Sequence, residues 1–164
     1  MTRLSSLALT MRAMASERNP SPHPVYRAGG ELTSIKIILA DDHPGFPQLV
    51  EGLLGKSFDV VGRLSDGEAL VEAAARLKPD LIITDISMPV LNGLEAAERL
   101  RNQGCSSKII FLTVHSDADF VRRCIALGAN GYVVKSRLAT DLLPAIEQAL
   151  AGKIYVSPPV RDFL

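Results

Sequence analysis

Tryptophan is absent, and only two cysteines, Cys105 and Cys124, occur in the 164 residues. They stand in unrelated contexts with no metal-ligand spacing, which excludes a disulfide framework and a zinc site. Both read as free thiols of a reducing compartment. Net charge is also lacking, since 18 Lys and Arg balance 18 Asp and Glu. A global field for nucleic acid is therefore missing, and no direct nucleic-acid binding by this chain is expected. No apolar run approaches the ~20 residues that cross a bilayer, so no membrane association is expected and the chain is assigned to the cytoplasm. A glycine-rich dinucleotide turn is missing as well, because the first strand-like run leads into Asp41-Asp42-His43-Pro44-Gly45.

What the chain does have is 47% apolar residues, enough for one globular core at this length. Charge is unevenly spread: residues 1–34 carry Arg3, Arg12, Arg18 and Arg27 against Glu17 and Glu31, leaving the remainder mildly acidic. Residues 19–31 are punctuated by Pro and Gly, so 1–33 reads as a flexible leader rather than a targeting peptide. Thereafter two patterns alternate five times. Short β-branched runs at about 35–40, 58–62, 80–84, 108–113 and 131–134 predict buried parallel strands. Helical periodicity predicts helices at about 46–55, 66–77, 93–102, 117–127 and 140–151. Ser65-Asp66-Gly67-Glu68 has capping-box spacing at the second helix, and Asn92-Gly93 opens the third. Pro47 and Pro144 fall inside helical patterns and are placed in first turns, where proline is tolerated. Alternation of this kind predicts an α/β fold with helices on both faces of a parallel sheet.

The charged residues sit where the strands stop. Asp41-Asp42 ends the first run and Asp85 the third; the fourth ends in Thr113 and the fifth in Lys135. In an open α/β sheet the carboxyl ends of the strands form the ligand crevice. Three carboxylates converging there repel one another unless a cation lies among them, and hard, oxygen-ligated Mg²⁺ suits that role. Alone, Asp41-Asp42 is equally a helix cap, Thr113 a backbone-satisfied hydroxyl, Lys135 a surface lysine and Tyr132 a core aromatic. Their joint placement favours a site. His43 and His115 are placed at the pocket rim, outside the metal ligands.

This set resembles the receiver domain of two-component response regulators, in detail the NarL/FixJ subfamily. The resemblance rests on Ala40-Asp41-Asp42-His43-Pro44, Asp85-Ile86-Ser87-Met88-Pro89 with Asn92-Gly93, and Leu112-Thr113-Val114-His115. It extends through Gly128–Ser136 and Gly152–Pro158 and covers about 34–158. It implies a flavodoxin-like (βα)5 doubly wound sheet of strand order 2-1-3-4-5. It implies that Asp85 accepts a phosphoryl group from a sensor histidine kinase or phosphotransfer protein. Mg²⁺ would be held by Asp42, Asp85 and the carbonyl of Ser87, with Asp41 acting through water. Thr113 and Lys135 would complete the catalytic set. Thr113 and Tyr132 would act as switch residues controlling a partner-binding or homodimer surface. Such a chain is a phosphoacceptor rather than an enzyme acting on a separate substrate.

Three positions depart from the pattern. Ser136 stands where many receivers have a cis-proline, Val114 is bulkier than usual, and Gly45-Phe46-Pro47 replaces a helix-forming start. The receiver is expected to span 34–153, with 154–164 a tail or remnant of the linker that leads to a helix-turn-helix output domain in this subfamily. Two other functions compete. A haloacid-dehalogenase-like phosphotransferase needs Asp-x-Asp on the nucleophile strand, and Asp85-Ile86-Ser87 lacks the second acid. A phosphorylation-independent scaffold has no need for the complete set.

Overall fold

The structure is a computed structural model that describes Val25–Tyr26 and residues 32–162. Contacts divide the chain into Met1–Thr33 and Ser34–Leu164. In the first unit Val25–Tyr26 and Leu32–Thr33 pair as a short antiparallel ladder. The rest of the expected leader lies outside the described residues.

The second unit alternates strands with helices. The strands are β1 (Ile35–Ala40), β2 (Phe58–Leu64), β3 (Leu81–Thr84), β4 (Lys108–Thr113), β5 (Gly131–Val134) and β6 (Tyr155–Val156). Five longer helices follow the first five strands: α1 (Phe46–Leu54), α2 (Gly67–Leu77), α3 (Gly93–Asn102), α4 (Ala118–Ala126) and α5 (Leu138–Leu150). A short α6 (Pro158–Arg161) follows β6. All strand pairs are parallel, in the order β2-β1-β3-β4-β5-β6. This is the flavodoxin-like arrangement expected from the sequence, extended by one strand.

Alternation along each strand separates two cores. Ile38, Ile82, Ile109 and Phe111 pack with Leu70, Ala74, Leu94, Ala97 and Val121 of α2, α3 and α4. Their neighbours Ile37, Leu39, Leu81, Ile83, Ile110 and Leu112 pack with Val50 and Leu54 of α1 and Leu142 and Ile146 of α5. Because side chains alternate with a period of two, β1, β3, β4 and β5 are apolar on both faces and can be followed or ended by a polar residue without opening either core. Cys124 lies wholly within the first core, where burial pushes its thiol up to about 12 and leaves it unreactive at neutral pH.

Several local features differ from the sequence reading. β2 runs to Leu64 because its register shifts opposite Ile37 and Ile38, leaving Val61 as an extra residue. That shift lets the Leu64 carbonyl accept from the Asp41 amide at 3.0 Å, so the bulge sets where β1 ends. The cap of α2 is Asp66 rather than Ser65, its side chain accepting from the Ala69 amide at 2.8 Å. Pro47 does occupy the first turn of α1, but Pro144 lies well inside α5, which begins at Leu138. The carbonyl that Pro144 leaves without its helical donor belongs to exposed Thr140, where water can satisfy it.

Residues 155–161, expected within a tail, are instead packed against β5. The Ser157 amide donates to the Tyr132 carbonyl at 2.9 Å, and Val156 and Val160 are buried. Ser157 Oγ accepts from the Val134 amide at 3.1 Å and donates to Asp141 Oδ2 at 2.7 Å. Arg137 donates twice to the same carboxylate, at 2.8 and 3.1 Å. Burial alone would raise the Asp141 pKa, but the hydrogen bonds from Arg137 and Ser157 outweigh it and hold the carboxyl below its ordinary value. A depressed carboxylate pKa contributes stability above the unfolded value near ~4 and loses it as pH falls through the folded value. Asp141→Asn is therefore expected to lower stability at pH 7 by about 1–3 kcal/mol. In urea titrations at several pH values this deficit should shrink steadily as pH drops below ~4. A deficit independent of pH would show that packing, not charge, makes the contribution.

Candidate functional site

Backbone register brings the strand-end acids together before any side-chain contact is considered. Ala40 pairs with Thr84, and the Asp85 amide donates to the Ala40 carbonyl at 2.9 Å. Asp41 and Asp85 therefore leave adjacent strands at the same level, and both are buried. Thr113 lies opposite Val134, one residue before Lys135, so the fourth and fifth strand ends reach the same edge.

Side chains close the site. Asp85 Oδ1 accepts from the Ile86 amide at 2.7 Å, which fixes the carboxylate in one rotamer. Lys135 Nζ lies 2.6 Å from Asp41 Oδ2 and 3.2 Å from Asp85 Oδ2, bridging the two buried acids. The same ammonium stands 4.2 Å from the centre of the Phe46 ring, within cation–π range. The Gly45-Phe46-Pro47 departure thus has a local consequence. Gly45 takes a left-handed backbone (φ 77°), and the turn it makes leads directly into α1, whose first residue is Phe46.

Asp41, Asp42 and Asp85 are joined by a group the sequence placed at the rim. His43 Nδ1 is 2.6 Å from Asp41 Oδ1 and 3.5 Å from both Asp42 Oδ1 and Asp85 Oδ2. One donor atom from each of these four residues lies within 4.8 Å of the others. The signal for His43 was local: its amide donates to Asp41 Oδ1 at 2.8 Å, an Asx-type turn that folds the imidazole back over the acids. His115 does sit apart from the acids, its Nε2 2.8 Å from Ser87 Oγ and its ring stacked on Phe120.

Of the remaining sequence-predicted residues, Thr113 is fully buried and its Oγ1 accepts from the His115 amide at 3.2 Å. Tyr132 is also fully buried, and its hydroxyl donates to the His115 carbonyl at 2.6 Å. Burial pushes the phenol pKa well up, so it remains a protonated donor. Both residues thereby hold the segment after β4. On the opposite side of Asp85, the Gly93 amide donates to the Ile86 carbonyl at 2.7 Å, and Gly93 packs against the Asp85 carbonyl. The intervening loop includes Val90 with φ 67°, a left-handed conformation that strains a β-branched residue by about 1–3 kcal/mol.

Residues 37–147 match the family described as the response regulator receiver domain. The chain belongs to that family. The receiver domain is 40% identical over 130 residues to the nitrate/nitrite response regulator protein NarL of Escherichia coli K12, covering 78% of this chain and 60% of NarL. It is 35% identical over 132 residues to the transcriptional regulatory protein DegU of Brevibacillus brevis, covering 79% of this chain and 56% of DegU. It thus spans about three fifths of the length of such relatives. Among solved structures, a LuxR-family two-component response regulator from Aurantimonas superposes with a TM-score of 0.75 at 29% identity, over 79% of this chain and 94% of that one. The isolated receiver domain of Salmonella RcsB, solved with a phosphomimetic beryllofluoride, gives 0.73 at 28% identity, over 80% and 99%. None of the described helices in the receiver is long and apolar enough to cross a membrane.

Proposed function

We propose that this receiver accepts a phosphoryl group on Asp85 and uses it to switch a protein surface. The observation that carries this reading is the buried Asp85 carboxylate, with Oδ1 held by the Ile86 amide and Oδ2 facing Lys135 beside two further acids. An Asp85 oxygen attacks the phosphorus of a phosphohistidine or acyl phosphate. The bond from phosphorus to the donor breaks, and the leaving group departs with its electron pair. Lys135 offsets negative charge gathering on the phosphoryl oxygens, and the Thr113 hydroxyl is available to donate to one of them. Ring contact with Phe46 and the ion pair to Asp41 keep the Lys135 ammonium aimed inward.

The donor set of Asp41, Asp42 and Asp85, with the Ser87 carbonyl nearby in sequence, fits a hard divalent cation. When bound, Mg²⁺ would neutralise the carboxylates and the incoming phosphoryl group. The donor is proposed to be a sensor histidine kinase or phosphotransfer protein. It approaches across the open mouth lined by Pro44, Phe46, Leu49 and Val114, where Leu49 and Val114 are more than half exposed. Output is proposed to leave through the segment after β4, since Thr113 and Tyr132 both hold its backbone at His115. A phosphoryl group that draws the Thr113 side chain toward itself would pull its Oγ1 away from the His115 amide and loosen one of those two tethers. Phosphorylation then shifts the population of that segment and alters partner binding or self-association. A domain beginning at about residue 34 and including β6 and α6, in a cytoplasmic setting, accompanies this reading.

Beryllofluoride with Mg²⁺ is expected to raise the melting temperature of the wild type. At 100 times its dissociation constant a ligand adds about 2.7 kcal/mol. Asp85→Asn should show no such rise. An equal rise in the variant would place the phosphoryl site elsewhere.

A further inference from the structure

The outer edge of β5 is only partly paired. β6 meets it at Gly131 and Tyr132, through Tyr155 and Val156, so the ladder stops two residues short of Val134. We propose that Ser157, together with Asp141, is a positioning residue for Lys135: its hydroxyl fixes the backbone from which the ammonium reaches the phosphoryl group. This rests on the reading that Asp85 accepts a phosphoryl group and Lys135 meets it.

A hydroxyl takes over where the ladder ends. The Val134 amide, immediately before Lys135, donates to Ser157 Oγ at 3.1 Å. Ser157 gives its one hydroxyl proton to Asp141 Oδ2 at 2.7 Å. Arg137, two residues after Lys135, donates to the same carboxylate from Nε at 2.8 Å and Nη2 at 3.1 Å. Val134 and Arg137 flank the turn Lys135–Arg137 on its two sides, so one chain of hydrogen bonds closes around Lys135. Ser157 and Asp141 are both buried, which keeps water from competing for these bonds. Ser157 itself is held in place: its amide donates to the Tyr132 carbonyl at 2.9 Å, and its own carbonyl accepts from the Val160 and Arg161 amides at 3.0 and 3.1 Å. Pro158 restricts its backbone further. Docking of residues 155–161 already has the Tyr155 amide on the Asn130 carbonyl at 3.0 Å and the Ser157 amide on Tyr132. The hydroxyl reaches past that pairing, toward Lys135.

Reaction geometry gives this brace its importance. Lys135 Nζ now rests on Asp41 Oδ2 at 2.6 Å and Asp85 Oδ2 at 3.2 Å. When Asp85 commits an oxygen to phosphorus, the ammonium must turn from that carboxylate to a phosphoryl oxygen. Lysine is a point charge on a flexible four-carbon stem, so its aim then depends on where its backbone stands. Without the hydroxyl, the buried Val134 N–H loses its acceptor, and the strand end shifts to recover one. Val134 pairs with Thr113 of β4, whereas Asp41 and Asp85 follow β1 and β3, so the acids keep their places.

The test uses the full chain with acetyl phosphate, Mg²⁺ and beryllofluoride, well below the melting temperature of each variant. Ser157→Ala should take up the phosphoryl group about tenfold more slowly than the wild type or worse, since a displacement of ~1 Å costs up to about 100-fold. Its beryllofluoride affinity at saturating Mg²⁺ should fall by a similar factor. Mg²⁺ affinity alone should stay within about threefold, because oxygen ligands away from β5 hold that ion. Arg137→Met, a change at a partly exposed residue, should slow phosphorylation in the same direction. Ile109→Val, a core truncation near the start of β4, serves as the stability control and should keep the wild-type rate and both affinities. Wild-type rate and beryllofluoride affinity in Ser157→Ala, or in Arg137→Met should the first variant not fold, overturn the positioning role while phosphoryl acceptance stands. Equal slowing in Ile109→Val assigns the effect to stability and overturns it as well. A wild-type chain that takes up no phosphoryl group overturns the underlying reading instead.

Discussion

Asp85→Asn is expected to take up no phosphoryl group from acetyl phosphate and Mg²⁺ under conditions that modify the wild type fully. The substitution keeps the shape of the side chain and leaves an oxygen to accept from the Ile86 amide, as Oδ1 does now at 2.7 Å. What it removes is the negative charge and the nucleophilic oxygen, since an amide does not attack phosphorus as a carboxylate does. Loss of reactivity should come without loss of structure. Asp85 is 2% exposed and shares its surroundings with Asp41, so replacing one of two buried acids relieves repulsion while forfeiting the contact to Lys135 at 3.2 Å. Urea midpoints of the two proteins should therefore lie close together. Intact-mass spectrometry that found the variant modified as readily as the wild type would move the acceptor to another carboxylate.

A second large effect is expected at Gly93→Ala. A methyl group on Gly93 would overlap the carbonyl oxygen of Asp85 and crowd Ile86 Cα, at 3.0 Å. These are backbone atoms, so no rotamer change can make room. Overpacking in a core that can adjust costs about 1–3 kcal/mol, and a site bounded by main chain should exceed that range. The melting temperature should fall by about 10 °C or more for a domain of this size. Phosphorylation should slow in addition, because the displaced peptide is the one that orients the Asp85 carboxylate through the Ile86 amide. A stable Gly93→Ala protein with normal phosphorylation would show that the loop after β3 does not brace the acceptor.

Much of this architecture was written in short range. Ile35–Ala40 and Lys108–Thr113 were legible because β-branched runs bounded by polar residues have few other uses. The acids, Thr113 and Lys135 were legible because polar residues end those runs at one edge of a parallel sheet, and register then places Asp41 beside Asp85. The features not legible depend on contacts between distant segments. Tyr155–Val156 is too short to display a period, and its strand forms because Ser157 reaches Val134 and Asp141. Val61 becomes a bulge only against Ile37 and Ile38. Pro144 is accommodated within α5 where the residue it deprives of a donor, Thr140, is exposed, which periodicity cannot reveal. His43 was placed outside the acid cluster because its side-chain direction follows from a turn about Asp41, not from its spacing to the acids.

The most direct measurement locates the phosphoryl group in the wild-type chain. Brief treatment with acetyl phosphate and Mg²⁺, followed by borohydride, reduces an aspartyl phosphate to homoserine, and peptide mapping then reads the position. Homoserine at position 85 alone is the expected result. Homoserine at Asp41 or Asp42, or phosphate retained on a hydroxyl or imidazole instead, would contradict the assignment of Asp85 as the acceptor.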